Sequence, residues 1–430
     1  MPTAPGPPRI PAAHEFHDTD IDIDIDTDID RAHGPYDLPV PAYVPTRVVF
    51  GGGTAGDLAA LVRERLGERL RGRPFRRVLV VVGRRTAAKP WQETAIGACR
   101  ELGAALVVEN PRANPTPESV QTVLEAARRH RADAVVAIGG GSVLDTAKTA
   151  ALLAGGGRSV EGALREGVPQ ARTTALVAVP TTAGSGAEVT RTATVWDERG
   201  GRKRALDHAG LFPDLAVVDP LLTMSAPGAV WASCGLDALS QAVESSWAVA
   251  ATDESARFSL PAVRMAADGL DAVLADPDDE RARTRLSRAS VLAGLAIAGT
   301  RTTVPHAVSY PLTLRRGIPH GHACALTLGA VLRFNAAVTA ADCRDPRGAE
   351  HSKDALRAIT RALRTPTPAA ARRRIDDLVR RLGLPPLRAY GPADCADIVD
   401  DVVSYSRFDN NPRHMTRTRL AALLRAESAR

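Results

Sequence analysis

Asp133-Ala-Val-Val-Ala-Ile-Gly139-Gly140-Gly141-Ser142-Val-Leu-Asp145-Thr-Ala-Lys148 is the stretch whose reading decides the fold. Ala134 to Ile138 is an unbroken apolar run, which suits a strand buried on both faces of a parallel sheet. The run delivers three glycines and a serine to the start of a helix. Glycine lets backbone approach a pyrophosphate, and a helix N-terminus offers free N–H groups and the positive end of its dipole. The spacing is not G-x-G-x-x-G, so a sharp strand-to-helix turn is the competing account of the glycines alone. Asp145 and Lys148, in the first turns of the helix, are placed to reach a ligand over the loop.

Working outward, the same grammar repeats. Arg47 to Phe50 reads as a strand turning at Gly51-Gly52-Gly53, followed by a helix to about Leu70. Arg77 to Val82, Ala105 to Val108 and Thr174 to Val179 read as further strands, with a helix from Pro117 to His130. Strands alternating with helices imply a parallel sheet covered on both faces. The strand ending at Val179 leads into Pro180-Thr181-Thr182-Ala183-Gly184-Ser185-Gly186-Ala187-Glu188-Val189-Thr190, a second loop of hydroxyls and small residues. Two such loops at successive strand ends form a crevice of the kind open α/β sheets use for ligands. Candidate cofactor contacts are Gly83, Gly139, Gly140, Gly141, Ser142, Asp145, Thr181, Thr182, Ser185 and Lys203. Only four lysines occur in the chain, and Lys148 and Lys203 fall beside these loops, which points to a compact ammonium there.

From about Met224 the pattern changes to long Ala/Leu/Arg-rich amphipathic stretches. The expected domains are an acidic leader over 1–42, a dinucleotide-binding α/β unit over 43–224 and an all-helical metal and substrate unit over 225–430. In the leader, Asp alternates with Ile or Thr from Asp18 to Asp30. Like charges at every second position would repel on one strand face, so the segment reads as disordered.

Bulk properties narrow the class. A chain of 430 residues with 44% hydrophobic and 24% charged residues has the composition of an ordinary globular protein. No apolar run reaches about 18 residues, and no secretory signal is visible, so the expected location is the cytoplasm. Five scattered cysteines argue for reduced thiols. The net charge of +6 comes from arginines spread along helical stretches, not from a tract with interleaved aromatics, which disfavours nucleic acid and suits a small anionic substrate.

Four ordered motifs, GGGSVLDTAK (139–148), PTTAGSGAEVT (180–190), LDALSQA (236–242) and PHGHA (319–323), resemble the group III, iron-activated alcohol dehydrogenase family from about residue 45 onward. That resemblance implies an N-terminal dinucleotide-binding domain, a helical domain holding one divalent metal (Fe2+ or Zn2+), an active site between them, and a homodimer. Carried over position by position, it puts the metal ligands at Asp237, Gln241, His306 and His320, with His306, His320 and Tyr310 as the catalytic groups. Gln241 stands where the family has histidine, and Tyr310 also replaces a usual histidine. An amide oxygen is a weaker ligand than imidazole for iron or zinc. The metal therefore persists with a weakened fourth position, binds loosely, or is dispensed with; His322 is an alternative ligand.

The strand Val78–Val82 ends in Gly83-Arg84-Arg85-Thr86, with no acid to repel a 2′-phosphate, which favours NADPH over NADH. Arg301, Thr303, Arg315 and His322 surround the metal-site histidines and suit a phosphonate or carboxylate. This region resembles the phosphonoacetaldehyde reductase branch of the family, which implies reduction of phosphonoacetaldehyde to 2-hydroxyethylphosphonate. A reductase of another small aldehyde or semialdehyde acid, a dehydroquinate-synthase-like cyclase and a non-catalytic binding protein are the remaining readings.

Overall fold

A computed structural model describes residues 35–67, 75–83, 90–110, 113–168, 171–198, 200–391 and 396–430. Residues 1–34 of the acidic leader and the candidate cofactor residues Arg84 and Arg85 lie outside the described residues; the rest of the leader, 35–42, is ordered against expectation, since Tyr36–Asp37 pair with the sheet and Leu38 is buried. Among the described residues there are nine strands: β1 (Tyr36–Asp37), β2 (Arg47–Phe50), β3 (Arg77–Gly83), β4 (Ala104–Asn110), β5 (Ala134–Gly139), β6 (Ala175–Pro180), β7 (Thr192–Asp197), β8 (Arg202–Asp207) and β9 (Leu215–Val218). Seven form one sheet in the order β1-β2-β9-β6-β5-β3-β4. Every pairing in it is parallel except that of the edge strand β1 with β2.

The helices between these strands are α1 (Leu58–Leu66), α2 (Pro90–Leu102), α3 (Pro117–His130), α4 (Gly141–Leu153) and α5 (Val160–Glu166). The period of two along each strand sends alternate residues to opposite faces. Val78, Val80 and Val82 pack with α1 and α2 residues, including Leu61 and Ile96. Leu79 and Val81 pack with α3 and α4 residues, including Leu124 and Leu144. Because every residue of β5 is buried, the apolar run at 134–138 needs no polar alternation. Helices after β3 and β5 lie on opposite faces, so the crevice between these two strands is a topological switch point.

The helical part comprises α6 (Gly228–Trp247), α7 (Asp253–Ala275), α8 (Glu280–Thr300), α9 (Val304–Arg316) and α10 (His320–Asn335). Beyond these run α11 (Ala349–Ala362), α12 (Pro368–Arg381), α13 (Ala396–Val402), α14 (Ser406–Asp409) and α15 (Arg417–Ser428). An α/β part followed by an all-helical part is the fold class expected from the sequence. The antiparallel hairpin β7–β8 and the short strand β9 were not anticipated. Four residues of LAVV carry too little period to separate β9 from a loop, and pairing with β2 and β6 is what makes it a strand.

A four-donor cluster beneath two glycine-rich loops

The two loops sit side by side at the C-terminal ends of β5 and β6, where Gly139 is in register with Pro180. Gly83 closes β3 one strand away. Gly140 is extended (φ −75°, ψ 177°) and starts α4, so these glycines are not there for a left-handed backbone. They are there for space. A Cβ on Gly140 would lie 3.2 Å from Thr182 Oγ1, and one on Gly141 would lie 2.6 Å from Ser185 Oγ. Thr181 N donates to Gly139 O at 3.0 Å, and the Ser142 hydroxyl donates to Ala113 O. The cofactor positions 139–142, 181, 182 and 185 are thus brought together.

Two nearby residues behave differently from expectation. Lys148 does not reach over the loop; it is buried, and Nζ donates to Ala187 O (2.9 Å), Thr190 O (2.8 Å) and Thr192 O (2.6 Å). The compact ammonium is required, but to cage backbone carbonyls between α4 and the second loop; burial pulls its pKa down to about 8. Asp145 Oδ2 accepts from Thr194 N at 2.9 Å, tying α4 to β7. Lys203, expected with the loops, stands on β8 opposite Trp196 of β7, and its ammonium lies 4.0 Å from the Tyr310 ring centroid.

Three helices bring the metal-type donors together. α6 supplies Asp237, α9 supplies His306, and the first turn of α10 supplies His320. Close approach of α10 to α6 depends on Gly321, where a Cβ would lie 2.7 Å from Asp237 Cβ. One donor atom each from Asp237, His306, His320 and Cys324 lies within 4.8 Å of the others. His306 Nε2 is 3.2 Å from Asp237 Oδ1, and the two imidazoles meet edge to face at 5.4 Å. Cys324, one helical turn after His320, went unnoticed in the sequence; the i, i+4 spacing on α10 was the available signal. Gln241 is turned toward the cofactor loop: Nε2 donates to Ser185 O at 3.3 Å, and Oε1 is buried without a partner among the described residues.

Behind these donors is a layer that sequence reading missed. Glu244, fully buried and seven residues after Asp237 on α6, receives His306 Nδ1–H at 2.5 Å. Its other oxygen accepts Thr303 N (2.6 Å) and Thr303 Oγ1 (2.9 Å), while Trp247 Nε1 donates to Thr303 Oγ1 at 2.9 Å. Ser309 Oγ donates to His306 O at 2.7 Å, so at 3.1 Å it accepts from His320 Nδ1–H. Both imidazoles direct Nδ1–H at these outer partners, which turns each Nε2 toward the cluster. Thr303, expected to touch substrate, is instead buried in this network.

Electrostatics follow from packing unlike charges out of water. Burial works to depress His306, yet Cys324, Glu244 and Asp237 hold its pKa well above the usual value. Burial and the Lys203 charge push His320 well below its own. Burial opposes ionisation of Asp237, but His306, His320 and Lys203 outweigh it and hold the carboxyl low. A carboxylate, two imidazoles and a thiol converging in this way fit one divalent ion that takes the place of their protons, since ligand distances of about 2.0–2.3 Å keep donors within this spread.

The expected substrate residues fare less well. Arg301 pairs with Asp207, and Arg315 with Asp401, so both guanidinium groups are committed to carboxylates. His322 is fully buried against Tyr390, with ring centroids 5.8 Å apart, and is not among the four converging donors. Tyr310 does lie at the cluster: its ring stacks on His320 at 5.9 Å, and its hydroxyl has no partner among the described residues. Over that ring stand Lys203 and, at 5.4 Å, Arg407, whose Nε donates to Thr302 Oγ1 at 3.0 Å. Neither cation has a carboxylate within ion-pair distance among the described residues. Arg407 was not singled out in the sequence because it belongs to α14, about a hundred residues after Tyr310 and close only in space.

Comparison with known proteins gives a consistent picture. The model for iron-containing alcohol dehydrogenases matches residues 45–220, and that for the C-terminal part of the Fe-containing alcohol dehydrogenase family matches residues 231–428. Phosphonoacetaldehyde reductase of Streptomyces viridochromogenes is 42% identical over 355 residues, covering 81% of this chain and 89% of that protein. The 4-hydroxybutyrate dehydrogenase of Cupriavidus necator is 34% identical over 78% of this chain and 87% of its own. The crystal structure of sulfoacetaldehyde reductase from Bifidobacterium kashiwanohense in complex with NAD+ superposes with a TM-score of 0.79 at 29% identity, covering 91% of this chain and 99% of that one. Among the described residues no helix is long and apolar enough to cross a membrane.

Proposed function

The chain belongs to the iron-containing alcohol dehydrogenase family, a family of nicotinamide- and metal-linked oxidoreductases, and from that premise we propose that it reduces phosphonoacetaldehyde to 2-hydroxyethylphosphonate with NADPH. The observation that carries the substrate is the pair of cations above Tyr310. Lys203 and Arg407 flank the ring beside the donor cluster and lack carboxylate partners among the described residues. A phosphonate offers the charge both lack; Lys203 meets it as a point charge and Arg407 as a planar fork. The 42% identity to a phosphonoacetaldehyde reductase points the same way. NADPH rests on the sequence Gly83-Arg84-Arg85, which carries no carboxylate to oppose a 2′-phosphate.

The loops at 139–142 and 181–185 would hold the dinucleotide, which would supply the hydride for the aldehyde carbon. Asp237, His306 and His320 would hold the divalent ion, which would supply Lewis-acid polarisation of the carbonyl oxygen. Glu244 and Ser309 keep the two imidazoles aimed. Tyr310 Oη, buried beside His320 and unpartnered, is the O–H group suited to give the alcohol oxygen its proton. Lys203 and Arg407 fix the far end of the substrate, so that binding energy there orients the reacting carbon. The division into a 43–224 and a 225–430 unit and a homodimeric assembly are proposed with this reading.

The test compares phosphonoacetaldehyde with propanal, using NADPH and NADH. Lys203→Met should lower kcat/KM for phosphonoacetaldehyde by about 10- to 100-fold, the worth of one charge-assisted hydrogen bond, and leave propanal little changed. Equal losses on both aldehydes, or a wild type that prefers propanal, would overturn the substrate assignment.

A further inference from the structure

We propose that Cys324 is the fourth protein ligand of the metal, standing in for the histidine that Gln241 replaces. The inference rests on the metal-linked reading above and concerns which atoms of this chain complete the site.

Three observations converge. The Cys324 side chain is fully buried and its Sγ belongs to the four-donor group with Asp237, His306 and His320. Its position one turn after His320 on α10 means that the Gly321 contact which docks α10 on α6 brings both donors in together. Gln241, the residue at the vacated ligand place, has its amide against the second glycine-rich loop. Its Nε2 is bonded to Ser185 O, and its Oε1 lies 3.5 Å from where a Cβ on Gly186 would stand. That bond leaves Oε1 as its one donor toward a metal, and a neutral amide oxygen is a poor competitor for a soft divalent ion beside a thiolate.

The exchange also changes what the site selects. Two imidazoles, one carboxylate and one thiolate form a softer set than three imidazoles and a carboxylate, and that favours zinc over ferrous iron. Binding requires the thiolate, so the thiol proton leaves to solvent as the metal–sulfur bond forms. No oxidant or second reactant is needed.

Cobalt(II) reports on this directly, because a thiolate ligand adds an intense near-ultraviolet charge-transfer absorption that oxygen and nitrogen donors lack. The full-length protein, stripped and reloaded with one equivalent of cobalt, should show that band. Cys324→Ser should lose it and weaken cobalt affinity by more than the roughly 100-fold that loss of an outer-shell partner reaches, with circular dichroism unchanged. Gln241→Ala should retain both the band and the affinity. Stripped wild type offered equal zinc and iron(II) should take up zinc. Cobalt-loaded wild type without the band would overturn the thiolate ligand while leaving a metal-dependent enzyme intact, and this readout needs no variant. Unchanged affinity in Cys324→Ser would do the same. A wild type that binds no divalent ion would overturn the metal-linked reading itself.

Discussion

The cofactor loops and the donor cluster lie next to each other but are assembled in opposite ways. Each loop is one contiguous segment at the end of one strand, and Gly140 and Gly141 of the first are fitted to Thr182 and Ser185 of the second. The cluster takes Asp237 from α6, His306 from α9 and the pair His320 and Cys324 from α10, and it is aimed by Glu244 and Ser309 from behind. The first kind of site takes its shape from two neighbouring strand ends. The second is only as accurate as the packing of three helices.

That contrast can be broken first at Glu244. Glu244→Ala removes the acceptor of His306 Nδ1–H and strands Thr303 in a dry interior, so stability should fall by about 3–5 kcal/mol in denaturant titration. Metal affinity should fall by about 10- to 100-fold, and Glu244→Gln should restore more stability than metal affinity, because an amide can accept from Thr303 but carries no charge for the imidazole. Retention of full metal affinity in Glu244→Ala would mean that helix packing alone aims His306.

A smaller effect is expected where the two regions meet. A Cβ on Gly184 would lie 2.7 Å from Cys234 Cα, so Gly184→Ala must push the second loop off α6. The overpacking should cost about 1–3 kcal/mol and raise the nicotinamide Kd more than it changes metal content. Equal damage to both would show that loop and cluster act as one unit.

The effect least visible at neutral pH is a pH slope. Burial holds His322 at a pKa of about 4, against 6.5 for an exposed histidine. The unfolded chain therefore binds this proton first, and stability drains as pH falls from 6.5 toward 4, by about 1.4 kcal/mol per unit for one group. Above 6.5 the term is absent. His322→Asn should flatten that part of the urea-stability profile relative to wild type; an unaltered slope would place the ring in contact with water.

Much of this molecule was legible from residue order alone. Apolar runs such as Val78 to Val82 and Ala134 to Ile138 encode buried parallel strands because both faces are covered, and Gly139 to Ser142 marks the strand-to-helix turn because the requirement for small residues is local. Asp237, His306 and His320 were found through four motifs in order, not through geometry. What tertiary structure alone decided is who stands opposite whom. Arg301 and Arg315 carry the right chemistry for an anion, yet Asp207 and Asp401 neutralise them, while Lys203 and Arg407 come to the cluster from a hairpin and a distant short helix. Cys324 and Glu244 fall just beyond the motifs that end at Ala323 and Ala242. Their roles arise because Gly321 lets two helices close until Sγ, carboxylate and imidazoles share one pocket, and no linear pattern encodes a distance between helices ninety residues apart.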